Sequence, residues 1–139
     1  SKATLYEGFR GIKSFYESVL RDSKSKEEIL VIGLPKYATE RYEGYFLDWN
    51  KRRAKKGVKI KLLFNYNVRD LGKKREKVKL TEVRYLTQKL VTPAWIFIYQ
   101  KGVATIHLTK DPICTYIKDE EVVESYKNFF NLLWNMASA

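Results

Sequence analysis

Two short apolar runs flank a long amphipathic segment early in the chain. The first is Glu28-Ile29-Leu30-Val31-Ile32-Gly33 and the second is Val58-Lys59-Ile60-Lys61-Leu62-Leu63-Phe64-Asn65. Their Val, Ile and Leu content predicts strands, and the segment between them is long enough for a crossover helix, so the unit reads as two parallel strands. Ile29 to Ile32 is apolar without interruption, as in a strand covered on both faces. Lys59 and Lys61 alternate with Val58, Ile60 and Leu62, so the second strand starts half covered and ends fully apolar.

The same patterning places the other elements. Leu5 to Gly8 reads as a short extended entry, with Gly8 and Gly11 at the start of a helix. Ile12, Phe15, Tyr16, Val19 and Leu20 form its apolar stripe. The crossover helix is expected over Thr39 to Lys56, with Thr39 as N-cap and Gly57 in the left-handed position that ends many helices. Asp70 to Lys79 predicts a short exposed helix, and Glu82 to Leu86 a third strand. Pro93 marks the start of the next, Ala94 to Tyr99. Gln100-Lys101-Gly102 is a hairpin turn into Val103 to Leu108, and Ile113 to Ile117 follows; these strands are antiparallel because their connections are tight. Asp119 caps a last helix to Met136, whose wide apolar face is Val122, Val123, Tyr126, Phe129, Phe130, Leu133 and Trp134. That face is expected on the sheet and, in part, at a dimer contact. The order describes one α/β domain with a mixed sheet and helices on its faces.

Composition narrows the partners. Of 139 residues, 45% are hydrophobic and 14% aromatic, enough for a core in one domain. No run reaches the roughly 18 apolar residues of a membrane span. The single cysteine, Cys114, lies in a strand-like run and reads as a small buried hydrophobe; a cytoplasmic, reducing setting fits. Lys and Arg total 27 against 16 acids, a formal net charge of +11, which favours an anionic partner such as nucleic acid or phosphates. Lysine abundance of this kind also accompanies high thermal stability, which needs no partner. Two basic clusters stand out: Arg52, Arg53, Lys55 and Lys56, then Lys73, Lys74, Arg75, Lys77 and Lys79. Each is explained by charge complementation at a helix end or by a solvated loop, and both together are suited to tracking phosphates.

Candidate chemistry is sparse. The single histidine, His107, sits on a strand, where structural or surface roles are the common ones. No serine elbow, phosphate-binding glycine loop or zinc signature is present. Neither a metal nor a cofactor is expected. Ligands of open α/β sheets bind beyond the carboxyl ends of the strands. Asn65, Arg69 and Arg84 are therefore expected to line a pocket there, with Tyr37, Tyr66, Tyr85, Trp95 and Tyr99 as aromatic walls or as core.

Several stretches then fall into one order: Tyr6-Glu7-Gly8 with Gly11-Ile12, Glu28 to Gly33, Lys51 to Lys61, Val83-Arg84-Tyr85-Leu86, Thr92-Pro93, and Phe129-Phe130 with Leu133-Trp134. With these residues the sequence resembles the phospholipase D-like domain of archaeal TrmB-type transcription regulators, over nearly its whole length. The resemblance implies a phospholipase D/nuclease-like mixed sheet flanked by helices on both faces. Active phospholipase D enzymes carry His-x-Lys followed four residues later by Asp. The matching positions here are Thr92, Ala94 and Tyr99, so the resemblance implies a non-enzymatic domain. It further implies a homodimer, an effector site at the strand ends that takes in Thr92 and His107 beside Asn65, Arg69 and Arg84, and DNA contact through an N-terminal winged helix-turn-helix that lies outside this chain. The chain does not begin with Met, which fits a piece of a longer protein. Two alternatives stay open: a catalytically inert nucleic-acid binder using the basic clusters, and a divergent phosphodiesterase using His107.

Overall fold

The computed structural model describes residues 2–87, 90 and 95–139, with residues 37–40 as backbone alone. Its elements run β1 (Ala3–Glu7), α1 (Gly8–Asp22), β2 (Glu28–Leu34), α2 (Lys36–Lys56), β3 (Lys59–Phe64), a 3-10 turn (Tyr66–Val68), α3 (Arg69–Glu76), β4 (Thr81–Tyr85), β5 (Trp95–Tyr99), β6 (Gly102–His107), β7 (Ile113–Ile117) and α4 (Glu120–Met136). Seven strands form one sheet in the order β1-β7-β6-β5-β2-β3-β4. β2, β3 and β4 are parallel, and β5, β6, β7 and β1 pair antiparallel. The carboxyl ends of β2, β3, β4 and β6 and the start of β5 therefore share one edge of the sheet.

Strand alternation sends side chains into two cores. Ile29, Val31, Ile60, Leu62, Phe64, Trp95 and Phe97 meet α1 and α2 through Ile12, Phe15, Tyr16, Phe46 and Trp49. Leu30, Ile32, Leu63, Ile98 and Val103 meet α4 through Val123, Phe130, Leu133 and Trp134. β2 is covered on both faces, as its unbroken apolar run predicts. At Gly33 the register with β3 shifts, so that Ile32 pairs Leu63 and Leu34 pairs Phe64. The glycine makes this possible at φ +75°, where a side chain is strained.

Three expectations need correction. The entry segment is a hydrogen-bonded edge strand: β1 pairs β7 from Ala3↔Ile117 to Glu7↔Ile113. Helix α2 starts at Lys36 behind Pro35, so Thr39 lies inside it and is not its N-cap; the extended Pro35 holds that position, with no side-chain cap. The charged segment after β3 is not a wholly exposed helix, because Gly72 and Arg75 of α3 are buried. Gly57 does end α2 at φ +87°, and the Asp119 side chain does cap α4 by accepting the Val122 N–H at 3.1 Å. Cys114 is fully buried, and burial pushes its thiol up to about 12. The expected start of β5 at Ala94 lies outside the described residues.

Candidate functional site

The strand-end edge holds the described pocket candidates Asn65, Arg69, Arg84 and His107 without gathering them into one cluster. Asn65 follows β3 and is 9% exposed, with its Oδ1 unpartnered. His107 ends β6, exposed and paired with Ile113. Strands β5 and β2 lie between β6 and β3, which separates the two residues by three strand spacings, roughly 14 Å. Thr92 lies outside the described residues.

The two arginines engage the end of the chain. Arg69 opens α3, stacks over the Tyr85 ring at 4.3 Å, and donates to the Ala139 carbonyl at 3.2 Å and to Ser138 Oγ at 3.4 Å. Arg84 of β4 donates to the Trp134 carbonyl at 2.8 Å and lies 4.5 Å over the Trp134 ring. Ser138 forms a bridge to Tyr85, so the segment after α4 seats on the outer edge of β4. The Trp134 carbonyl is one of the last-turn acceptors that a helix cannot pair by itself, and a cation suits that end of the dipole. Of the aromatic candidates, Tyr85, Trp95 and Tyr99 are core residues and Tyr66 is exposed; the side chain of Tyr37 lies outside the described residues.

Position 99, which the sequence resemblance aligns with the motif aspartate, holds a buried phenol. Tyr99 Oη donates to Tyr116 Oη at 2.9 Å and the two rings stack. Burial, then that hydrogen bond, raises the phenol well above its ordinary range. Thr92 and Ala94, the other two motif positions, lie outside the described residues. Among the described residues no three His, Cys, Asp or Glu side chains group as metal ligands.

Of the nine basic residues in the two clusters, seven, Arg52, Arg53, Lys55, Lys56, Lys73, Lys74 and Arg75, divide into three sets. Arg53 and Arg75 are in the core. Arg53 donates from Nη1 to the carbonyls of Val58 at 2.6 Å and Leu80 at 3.1 Å, from Nη2 to Thr81 Oγ1 at 2.6 Å, and from Nε to Asn50 Oδ1 at 3.1 Å. Desolvation, with Arg75 nearby as a second cation, lowers it to about 10. Arg75 pairs with Glu43. Arg52 and Lys56 are bound to α1: Arg52 grips both oxygens of Glu17 at 2.6 and 2.9 Å and also holds Asp48, while Lys56 caps the carbonyls of Leu20 and Arg21. The Arg52 hydrogen bond is the main cause that lowers the Glu17 carboxyl. Lys55, Lys73 and Lys74 remain exposed.

Two of these line a groove of about 760 Å³ between α2 and the end of α3. Its lining is Leu47, Lys51, Ala54, Lys55, Lys74, Lys77, Val78 and Lys79. Sequence reasoning left Lys51 out of the site, although Leu47, Lys51 and Lys55 are spaced four apart and share one helix face. The opposite wall comes from a segment whose burial no periodicity predicts.

Comparison with known proteins places the fold. No family model matches the sequence, and no curated protein matches it. Solved structures do. The archaeal chromatin protein TrmBL2, whose structure is described as showing a novel mode of DNA binding, superposes with a TM-score of 0.71 at 19% identity, covering 99% of this chain and 53% of that one. NucT from Helicobacter pylori gives 0.67 at 14% identity over 99% of this chain and 98% of its own. Nuc from Salmonella typhimurium, a phospholipase D family member, gives 0.59 at 13% identity over 97% of this chain and 96% of its own. The fold is therefore phospholipase D-like, as the sequence resemblance implies. The chain spans about half the length of the archaeal protein. No described helix is long and apolar enough to cross a membrane.

Proposed function

We propose that this chain is a non-enzymatic effector-binding and dimerisation domain of a TrmB-like, DNA-associated transcription regulator. The observation that carries the reading is Tyr99: on a phospholipase D-like sheet, the position of the motif aspartate holds a neutral phenol bonded to another phenol. A group held in that form offers no carboxylate to the motif chemistry, and Thr92 and Ala94 supply neither imidazole nor ammonium. The effector would enter at the strand-end edge near Asn65, Arg69, Arg84, Thr92 and His107. Dimerisation would use α4, where Phe129, Leu132 and Met136 are 43%, 60% and 56% exposed at helical spacing.

The test is an activity and ligand panel on the whole chain. Incubation with bis(p-nitrophenyl) phosphate and with DNA is expected to give no hydrolysis. Turnover that disappears in His107→Ala would overturn the non-enzymatic reading in favour of a divergent phosphodiesterase. A thermal-shift screen of metabolites is expected to find a stabilising ligand, and a broad panel without one removes the effector role. The inert nucleic-acid binder is the second reading, favoured by exposed Lys55, Lys73 and Lys74. It requires salt-dependent DNA binding by this chain.

A further inference from the structure

We infer that the groove between α2 and α3 is a docking site for an acidic amphipathic helix of a partner protein. The floor is apolar: Leu47 and Ala54 from α2, and Val78 from the connection that follows α3. The rim is five lysines, Lys51 and Lys55 on one wall and Lys74, Lys77 and Lys79 on the other, with no carboxylate in the lining. None of the five ammonium groups has a carboxylate partner among the described residues. Five like charges around one groove repel each other, and a partner with carboxylates along both flanks relieves that repulsion.

The shape selects among anions. A phosphate backbone has no apolar ridge to lay on Leu47, Ala54 and Val78. Base stacking needs aromatic side chains, and none lines the groove. A single carboxylate does not match lysines spread along two walls. A helix with an apolar i, i+4, i+7 ridge between acidic flanks meets floor and rim at once, which is the helix-in-groove mode of recognition.

The walls are also held in place before any partner arrives. Arg53 ties the Leu80 carbonyl and Thr81 Oγ1 to the end of α2, and Thr81 Oγ1 donates to the Lys79 carbonyl at 3.1 Å. The Val78 N–H closes back on the Arg75 carbonyl at 3.0 Å. Leu80 sits at φ +58°, a left-handed conformation that costs a leucine free energy and that these bonds maintain. Walls fixed in this way lose little entropy on binding.

The experiment uses the whole chain and a fluorescein-labelled helical peptide of about 20 residues, long enough for several turns. The peptide carries leucines at i, i+4 and i+7 with glutamates on both flanks. A scrambled peptide of the same composition and a DNA duplex are the comparisons, read by anisotropy. The amphipathic peptide is expected to bind at least about tenfold more tightly than the scramble. Lys51→Glu/Lys74→Glu and Ala54→Gln are each expected to weaken it about tenfold. Leucine-to-glutamine changes in the peptide give the same loss with the protein untouched. Equal binding of the scramble, an unchanged affinity in Ala54→Gln, binding of the duplex alone, or no binding of the peptide at low salt would each overturn the proposal.

Discussion

Arg69 and Arg84 at the strand-end edge, and the five lysines of the α2–α3 groove, carry the same charge and are used in opposite ways. The arginines satisfy the chain's own carbonyls at the end of α4 and stack on Tyr85 and Trp134. Among the described residues the groove lysines have no carboxylate partner. Topology directs attention to the strand ends, where ligands of open α/β sheets gather. Side-chain commitments point to the helical flank, since a cation already bonded and stacked must break those contacts before it can bind anything else. The arginine fork suits the first use and the flexible, strongly hydrated ammonium the second. Beneath the groove lies a third use of positive charge, in which Arg53 and Arg75 are sealed in the core and hold its walls.

The largest expected effect tests that third use. Arg53 has four neutral hydrogen-bond partners and no carboxylate, so desolvation opposes it while four charge-assisted bonds favour it. The bonds win, because without them the buried Val58 carbonyl and Asn50 Oδ1 lose the donors that Arg53 supplies. Arg53→Met is expected to cost about 3 kcal/mol in urea unfolding. A neutral result would show that desolvation wins and that the walls of the groove are fixed by something else.

Glu43→Gln is expected to cost about 2 kcal/mol. It removes the carboxylate paired with Arg75 while keeping an acceptor, and it leaves Arg75 and Arg53 as neighbouring buried cations. Because α2 and α3 share this pair, amide exchange in α3 should accelerate more than in α4. Uniform acceleration would count against a local role.

The same pair shows where sequence reading stops. The β2-α2-β3 unit, the antiparallel strands and the capped α4 follow from periodicity and end residues alone. Arg75 does not: Asp70 to Lys79 is so polar that it reads as a solvated helix, and its burial depends on a glutamate 32 residues upstream. Strand β1 escaped full recognition for a related reason. At the edge of the sheet it is mostly exposed, so no apolar alternation marks it. The strand-end edge itself was legible, because the β2-α2-β3 crossover puts the carboxyl ends of two parallel strands on one side. The commitment of Arg69 and Arg84 was not, since their partners lie 70 and 50 residues away in the chain.

Arg84→Ala sharpens the strand-end half of the comparison. It removes one hydrogen bond to a carbonyl and one cation–π contact, together about 1 to 2 kcal/mol. The change should be concentrated where α4 ends: faster exchange at residues 134–138 and altered emission from Trp134. If that segment is unaffected, Arg84 is free to serve a ligand and the contrast with the groove weakens.

The smallest effect is expected from the groove itself. Neutralising Lys51 or Lys74 to Gln removes no ion pair among the described residues, so stability should change by less than about 0.5 kcal/mol. The sign is informative. Each substitution relieves repulsion among five like charges, so the change should be a gain at low ionic strength that fades as salt rises to about 0.15 M, where the screening length falls to about 8 Å. A loss of more than about 1 kcal/mol would mean that the ammonium holds the fold together, as Arg53 does. The groove would then be a structural joint between α2 and α3, with no charge left over for a partner.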